Sequence, residues 1–222
     1  MIVAFIQAKG YSERVPNKNL RKLGDKPLFL HALLNARNSK SINKVVIDSD
    51  SEEILSLGCE YGATPLYRPS NLTSNSTTGD DLAYWQASQY PESIIMLQIV
   101  PTSPFISSET IDRAISYMVS YTSIVGVRKE KFYKWKDYQP MYLRDDKIPN
   151  SNELPDTIYE TTGLYIIKTK CVLQEKRRIC FRTGELFLYP LSKIESIDIN
   201  TEEDFEFAEI VWNGLEEKSK TK

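Results

Sequence analysis

The side chains best suited to chemistry lie in one loop near the start of the chain, between residues 9 and 19. Gly10 permits a close approach of the backbone to a ligand, and Ser12 supplies a hydroxyl donor. The loop also supplies three cations: Lys9, Arg14 and Lys18. Backbone N–H groups together with cationic donors can bind a compact polyanion such as a triphosphate. Neither the Walker A pattern nor GxGxxG is present, so the loop taken alone also fits a solvated basic turn.

A second candidate site is the segment SIDINTEED, residues 196–204. Asp198 and Asn200 occupy alternate positions of an extended stretch, so their side chains point the same way. Two oxygen ligands there can hold Mg²⁺, which favours carboxylate and phosphate oxygens and usually keeps waters. The alternative is a strand end that leads into a helix capped by Thr201.

Residues 48–50, Asp-Ser-Asp, look like a DxD metal clamp, which would suit a glycosyltransferase that binds a nucleotide-sugar. Local signals favour a structural role instead. Asp50 is predicted to cap a helix, with Glu53 closing a capping box and Gly58 ending the helix. Asp48 is then predicted to be merely exposed.

Composition places the chain among ordinary globular proteins. Its 222 residues, 41% hydrophobic and 26% charged, suit one fairly large domain. A net charge of -2 provides no basic field for nucleic acid or an anionic membrane. No apolar run approaches the roughly 18 residues of a membrane span, and the first residues resemble a core strand more than a signal peptide.

The cysteines and the single histidine offer little for catalysis. Three widely spaced cysteines without a CxxC pattern are predicted to be reduced and mostly buried thiols, typical of a cytoplasmic protein: Cys59, Cys171 and Cys180. His31 lies inside a helical pattern and is predicted to pack or cap, since no nucleophile partners it. Clusters of the zinc type are absent from the sequence.

Strand and helix patterns alternate along the chain. Six apolar, β-branched runs are predicted strands: IVAFIQA (2–8), KVVIDSD (44–50), SIIMLQI (93–99), SIVGVRK (123–129), TGLYIIK (162–168) and LFLYPL (186–191). Helix starts are predicted at four further places: Pro27, Asp50, Ser107 or Ser108, and Thr201. This alternation predicts an α/β fold with a mostly parallel sheet covered on both faces. Ligands bind such sheets beyond the carboxyl ends of the strands, where the opening loop lies.

Residues 130–160 interrupt this rhythm. They hold three prolines, show no helical period and carry several aromatic residues, among them Phe132, Tyr133, Trp135, Tyr138 and Tyr142. A disordered linker does not usually carry so many aromatic side chains. We interpret the segment as an arm or hairpin, inserted between residues 1–129 and 161–222 of the α/β domain. It packs either on a second copy of the chain or on its own domain.

Six segments stand out in order over nearly the full length: AKGYSERVPNKNLRKLGDKPL, KVVIDSD, LYRPSNLTSNSTTGDD, VPTSPF, TTGLYII and ESIDINTEEDF. Together they resemble the acylneuraminate cytidylyltransferase (CMP-sialic acid synthetase) family. The resemblance implies a three-layer Rossmann-like nucleotidyltransferase fold with a dimerisation arm, and therefore a homodimer. It also implies that CTP and a 2-keto-3-deoxy sugar acid give a CMP-sugar and pyrophosphate, with Mg²⁺ as cofactor.

The resemblance also assigns roles to individual residues. Lys18 is the implied catalytic lysine on the phosphates, and Asp198, assisted by Asn200, is the implied metal ligand. Tyr165 and Thr162 would face the sugar. The implied nucleotide-binding residues are Ala8, Lys9, Gly10, Ser12, Arg14, Asn19, Arg68 and Thr77.

The chain departs from the family pattern in the loop and at the metal segment. Lys9 replaces an arginine and so loses its bidentate fork. Glu13 replaces a lysine, although Arg14 beside it can substitute for the lost charge. Asn200 replaces the second metal aspartate, which predicts weaker Mg²⁺ binding or an intervening water.

Further departures cluster on the acceptor side. Val100 replaces a glutamine, Ile106 replaces an arginine, and residues 160–162, Glu-Thr-Thr, replace Arg-Pro-Asn. N-acetylneuraminate itself is therefore an uncertain acceptor, and a related sugar acid or another small hydroxyl acceptor is an alternative. A second alternative is a degenerate homologue that binds nucleotide without turnover.

Overall fold

The computed structural model describes residues 1–143 and 146–221. The strands are β1 (Ile2–Gln7), β2 (Lys22–Leu23), β3 (Lys26–Pro27), β4 (Lys44–Ser49), β5 (Thr64–Tyr67), β6 (Ile95–Ile99), β7 (Ser123–Glu130), β8 (Trp135–Lys136), β9 (Gln139–Pro140), β10 (Thr157–Lys168) and β11 (Leu186–Pro190). The α-helices are α1 (Leu28–Asn38), α2 (Glu52–Glu60), α3 (Gly79–Gln89), α4 (Ser108–Ser116), α5 (Thr169–Glu175) and α6 (Glu202–Lys220). Short 3₁₀ helices span Ser70–Leu72, Tyr117–Val119 and Ser151–Glu153.

Seven strands form the central sheet, in the order β11-β7-β10-β6-β1-β4-β5. Neighbours pair in parallel except at β10, which runs antiparallel to both β6 and β7. All six predicted runs form strands, and the predicted mostly parallel sheet is confirmed. Strand β5 was not predicted, because its four residues include Pro65 and none is fully buried.

Helices cover both faces of the sheet, because alternate strand residues point to opposite sides. On one face, Ile6 and Leu97 pack in a core with apolar residues of α1, α2 and α4. On the other, Phe5 and Met96 pack in a core with residues of α3 and α5. The predicted three-layer architecture is therefore confirmed.

Two predicted helix starts are confirmed, since Ser107 caps α4 and Thr201 caps α6 through their side chains. Pro27 precedes α1 as its cap, one position before the predicted place. His31 packs as predicted: it is buried, and its ring lies 4.5 Å from that of Trp212.

The predicted start and end of α2 are wrong. Ser51, not Asp50, caps this helix by accepting a hydrogen bond from the Ile54 N–H. Gly58 lies inside the helix and does not end it. A Cβ atom there would stand 2.8 Å from Ile47 Cγ2, so this glycine permits close packing of α2 on the sheet.

All three cysteines are free thiols, as predicted, but only Cys180 is buried: Cys171 is half-buried and Cys59 is exposed. Within the described residues no helix is long and apolar enough to cross a membrane.

The arm is a hairpin that continues strands β7 and β10 away from the sheet. Its two short strands, β8 and β9, pair across a turn at Asp137 and Tyr138, which both have positive φ. Tyr142 packs edge-on against Tyr133 and Trp135 inside the hairpin. Trp135 and Tyr138 are nevertheless 61% and 97% exposed, so much of the aromatic surface faces outward.

The carboxyl ends of β1, β4 and β6 meet at one edge of the sheet. Gln7 lies opposite Asp48, and Ile6 lies opposite Ile99. The loops that follow these strands therefore converge, and the opening loop is among them.

Candidate active site

A cleft of about 460 Å³ opens at this edge. It is lined by Gln7, Lys9, Tyr11, Ser12, Glu13, Arg14, Lys18, Asn19, Asn75, Val100, Pro101 and Thr102. Five of the predicted nucleotide-binding or catalytic residues therefore meet in one place. Gln7 and Asn75 were not predicted, although Gln7 is a polar residue at the end of a buried strand. Asn75 lies within a segment that carries the family resemblance.

Asn75 fixes the outer part of the opening loop. Its side-chain oxygen accepts a hydrogen bond from Lys9 Nζ at 3.1 Å, and its amide donates to the Glu13 carboxylate at 2.6 Å. The carboxylate of Glu13, which stands where the family pattern has a lysine, is therefore hydrogen-bonded by a neutral amide. Asn19, which is buried, donates to the Lys9 carbonyl at 2.8 Å and closes the loop from inside.

Lys18 is the buried cation of the cleft, with 7% of its surface exposed. Asn17 before it adopts the left-handed conformation, which asparagine tolerates, and this turn directs the chain inward. Lys18 Nζ donates to the Ile199 carbonyl at 2.8 Å. Burial lowers the pKa of this ammonium group, as does Arg14, while Asp198 and Asp204 raise it. The contact joins the opening loop directly to the segment that carries Asp198.

Asp198 and Asn200 lie together, as their spacing predicts. Asp198 Oδ2 accepts hydrogen bonds from Asn200 Nδ2 at 2.5 Å and from Thr162 Oγ1 at 3.1 Å. Asp198 Oδ1 is buried and has no hydrogen-bond partner in the described residues. Asn200 Oδ1 accepts from Arg14 Nη2 at 2.9 Å. In this arrangement Asn200 therefore offers its N–H group, and not its oxygen, to Asp198.

Gly10 and Ala8 do not line the cleft but anchor the loop to the end of β4 and to the residue that follows it. The Gly10 N–H donates to Asp50 Oδ1 at 2.7 Å, and the Ala8 N–H donates to the Asp48 carbonyl at 2.9 Å. A Cβ atom on Gly10 would stand 2.9 Å from Ser51 Cβ. The close approach that requires this glycine is thus to the start of α2. Asp50 was predicted to cap α2; instead, its side chain binds the opening loop through the Gly10 N–H.

Arg68, proposed to lie by the nucleotide base, is almost fully buried and pairs with Asp48. Its Nε and Nη2 atoms donate to the two carboxylate oxygens at 2.9 and 3.0 Å. Gln86 Nε2 donates to the same carboxylate at 2.7 Å. Burial raises the pKa of Asp48, and the hydrogen bonds and charge of Arg68 oppose that rise. The prediction that Asp48 is exposed is wrong, and residues 48–50 do not form an open metal clamp.

Thr77 lies outside the cleft lining, in a turn where its N–H donates to the Ser74 carbonyl at 3.2 Å.

Tyr165 lies close to the metal candidate but is also not part of the open cleft. It is 1% exposed, and its hydroxyl donates to the Glu160 carboxylate. Burial raises the pKa of this phenol, and the hydrogen bond acts in the same direction. Arg178, which the sequence did not single out, lies 3.8 Å from the centre of the Tyr165 ring.

Comparison with known proteins decides the family. Residues 3–216 match the family described as Cytidylyltransferase. The chain belongs to this family. CMP-N,N'-diacetyllegionaminic acid synthase of Legionella pneumophila is 32% identical over 225 residues, which cover 94% of each chain. N-acylneuraminate cytidylyltransferase of Escherichia coli is 29% identical over 93% of this chain and 51% of that protein. The resemblance drawn from six sequence segments is thereby confirmed.

A solved structure shows the same fold. CMP:2-keto-3-deoxy-manno-octonic acid synthetase complexed with CTP aligns over 96% of this chain and 99% of its own, with a TM-score of 0.69 and 13% identity. At that identity the likeness establishes the fold alone. The predicted Rossmann-like nucleotidyltransferase fold is confirmed.

Nucleotidyltransferases generally use a divalent metal ion. The described part of this cytidylyltransferase holds no group of three or more His, Cys, Asp or Glu residues that could bind one. Mg²⁺, however, is commonly bound through one or two carboxylates plus substrate phosphates and water. The buried, unpartnered Asp198 Oδ1 fits that mode as a single protein ligand.

The Arg68–Asp48 pair predicts a large effect on the stability of the enzyme. Arg68→Met removes the guanidinium and leaves a buried carboxylate without its ion-pair partner. Breaking such a pair on one side costs about 3–5 kcal/mol. Urea unfolding should show this loss. Glu202→Gln is the matched control, because it breaks the exposed Arg21–Glu202 pair, worth at most about 1 kcal/mol. Similar losses in both variants would contradict the prediction.

Proposed function

We propose that this cytidylyltransferase couples CTP to a sialic-acid-like 2-keto-3-deoxy sugar acid. The products are a CMP-sugar and pyrophosphate, and the reaction depends on Mg²⁺. The observation that carries the proposal is the contact from Lys18 Nζ to the Ile199 carbonyl, which places a cationic loop against the segment of Asp198. The names of the relatives, which include synthases of CMP-linked sugar acids, support the class of acceptor.

The cleft residues divide the work of binding CTP. The triphosphate binds to the backbone and cations of the opening loop, with Lys9, Ser12 and Arg14 around it and Lys18 innermost. Asn19, buried at the inner end, lies by the cytidine. Ala8, Gly10, Arg68 and Thr77 act from behind the cleft by fixing the segments that shape it, since none of these four lines it.

The transfer does not require a covalent bond between the protein and either substrate. The anomeric hydroxyl of the acid attacks the α-phosphorus in line. A new P–O bond forms, the bond to the departing pyrophosphate breaks, and the hydroxyl proton is released to solvent. Catalysis then consists of positioning and of stabilising negative charge on phosphate oxygens. Lys18 supplies a fixed positive charge for this, and Asp198 holds the metal. Bound Mg²⁺ supplies further charge neutralisation.

The decisive test is pyrophosphate release from CTP and Mg²⁺, run against N-acetylneuraminate, other nonulosonates and Kdo. Release with at least one acid, and little with ATP or GTP in place of CTP, is the expected result. CTP binding by calorimetry without release from any acid would favour the degenerate homologue. Absence of CTP binding would overturn the assignment of the opening loop.

The contact between Asn200 and Arg14 is the observation that favours the degenerate alternative, because it turns the amide oxygen away from Asp198. Asn200→Asp separates the two cases. In an active enzyme, a second carboxylate should lower the Mg²⁺ concentration for half-maximal rate by roughly tenfold, through added ligand charge. Asn43→Asp, the same charge change on another part of the surface, should leave that concentration unchanged. A protein that stays inactive after Asn200→Asp would support the degenerate homologue.

The homodimer and the cytoplasmic location belong to the same proposal. The outward aromatic surface of the arm, including Trp135 and Tyr138, is the proposed dimer contact, because such exposed patches mark interaction sites. Sedimentation of the full chain, with and without Trp135→Ser, tests it. The three free thiols support a reducing compartment.

A further inference from the structure

Arg178 has an unusual setting at the edge of the candidate site. Its guanidinium carbon lies 3.8 Å from the centre of the Tyr165 ring. A Cβ atom on Gly79 would stand 2.2 Å from Arg178 Nη1, so the guanidinium also packs directly on the start of α3. The group is therefore fixed between an aromatic ring and a glycine, which lowers the entropy lost when it binds a ligand.

The N–H donors of this guanidinium are not used in hydrogen bonds within the described residues. Among the described residues the Arg178 side chain donates no hydrogen bond, although its backbone N–H donates to Asp80 Oδ1 at 2.9 Å. Glu160 forms an ion pair with the guanidinium, but its oxygen lies 3.8 Å from Nη2, too far for a hydrogen bond. Glu160 instead accepts the hydrogen bond of the Tyr165 hydroxyl. A half-buried arginine with unused donors is suited to a planar anion such as a carboxylate.

The setting is also close to the proposed reaction centre. Strand β10 changes register between Glu160 and Tyr165, and Thr162 in that irregular stretch has a φ of 60° and donates to Asp198. One short stretch of chain thus joins the metal candidate to the surroundings of Arg178. At position 160, moreover, the family pattern has an arginine and this chain has a glutamate. The guanidinium of Arg178, which lies 3.8 Å from Glu160, supplies a positive charge near position 160.

A small cavity adjoins the guanidinium, and a second cavity adjoins the first. The first, of about 200 Å³, is lined by Thr78, Gly79, Asp80, Arg178, Ile179 and Phe181. The second, of about 170 Å³, shares Ile179 and Phe181 and is otherwise largely apolar, with Glu160 at its margin. A polar anchor beside an apolar recess matches a ligand that carries both an acid group and apolar substituents.

We propose that Arg178 binds the carboxylate of the acceptor sugar acid and so determines the preference of the enzyme for acids. The inference rests on the proposed function, because it requires a sugar acid as acceptor. It adds a specificity-determining residue on the acceptor side, where Val100, Ile106 and residues 160–162 depart from the family pattern.

The test compares each acid of the panel with its methyl ester, in the unaltered enzyme and in Arg178→Met. Loss of charge-assisted hydrogen bonds should raise the acceptor KM roughly 10- to 100-fold, with the KM for CTP unchanged. The preference for acid over ester should fall by a similar factor, a change that a merely structural role of Arg178 would not produce. Arg178→Lys should restore part of the preference, because it keeps the charge and loses the fork.

Two further variants sharpen the result. Gly79→Ala should displace the guanidinium without removing it, and so raise the acceptor KM by a smaller factor. Arg182→Met is the matched control, because that neighbouring arginine pairs with Glu175 and Glu185. It should leave acceptor KM unchanged. An acid-over-ester preference that survives Arg178→Met in a protein with unchanged Tm would overturn the inference.

A failure of the proposed function can be distinguished from a failure of the Arg178 inference by the pyrophosphate assay. The unaltered protein would then release no pyrophosphate with any acid. Calorimetric titration of the CTP-bound protein with N-acetylneuraminate and Kdo would still decide the role of Arg178. Binding that weakens at least tenfold in Arg178→Met would support it. Equal affinity in both proteins, or no binding to either, would overturn it.

Discussion

Asp198→Asn is expected to lower kcat/KM for pyrophosphate release by about 10³-fold, because fixed charge at a phosphoryl-transfer site is worth that order of magnitude. The substitution keeps the shape of the side chain and removes its charge. Asp198 Oδ1 is buried without a hydrogen-bond partner, so in the free protein its charge is not neutralised by a donor at that atom. In the proposed mechanism, a divalent ion would bind at this oxygen.

The measurement is the rate of pyrophosphate release over a range of Mg²⁺ concentrations, with CTP binding followed separately by calorimetry in the absence of metal. CTP affinity without metal should change little, since the loop cations are intact. Asp25→Asn, an exposed carboxylate paired only with Lys26 in the described residues, is the control and should keep full activity. Turnover within tenfold of the unaltered enzyme would show that Asp198 does not hold the metal.

Lys18→Met should lower kcat/KM by roughly 10²–10³-fold, the usual loss when one preorganised donor to a developing anion is removed. The same change leaves the Ile199 carbonyl without its donor, at a cost to folding of about 1–3 kcal/mol. Activity must therefore be compared below the Tm of the variant. Lys22→Met, on an exposed lysine of β2, controls for loss of charge nearby.

The pH profile offers a second readout for the same residue. Burial lowers the pKa of Lys18 from 10.5, so the ammonium loses its proton at a lower pH than an exposed lysine does. A reaction that needs this charge should lose kcat/KM as pH rises through that lowered pKa. Lys18→Arg should move the alkaline limb upward, because the guanidinium keeps its charge. An alkaline limb that stays in place would mean that another group produces it.

Much of the fold was readable from local patterns. Continuous apolar runs such as that of β1 identify strands buried on both faces. Thr201 is a good cap, and the start of α4 was predicted to within one residue, at Ser107 or Ser108. The start of α2 was not, because Asp50 and Ser51 are adjacent and both suited to capping. Asp50 is engaged by the Gly10 N–H, forty residues earlier in the chain, and no local pattern shows that contact.

The candidate site divides in the same way. The cations of the opening loop could be assigned because their grouping is local, and the alternation of Asp198 and Asn200 placed them side by side. Arg68 illustrates what local reasoning misses. A carboxylate inside a buried strand must be paired, yet nothing local indicates that the partner of Asp48 is an arginine twenty positions later. Arg178 was overlooked because it lies in a run of basic residues that reads as ordinary surface.

The chain of buried polar groups behind the cleft has a consequence for how this protein can change over time. Gln98 Nε2 donates to Gln86 Oε1 at 2.9 Å, Gln86 donates to Asp48, and Asp48 pairs with Arg68. Replacing any one of the four residues leaves a buried donor, acceptor or charge without its partner. A single substitution therefore causes most of the loss of folding stability that replacing all four would cause. Substitutions here should be strongly epistatic. The four positions can diverge only in concert, and descendants of this sequence should keep or exchange them as a set.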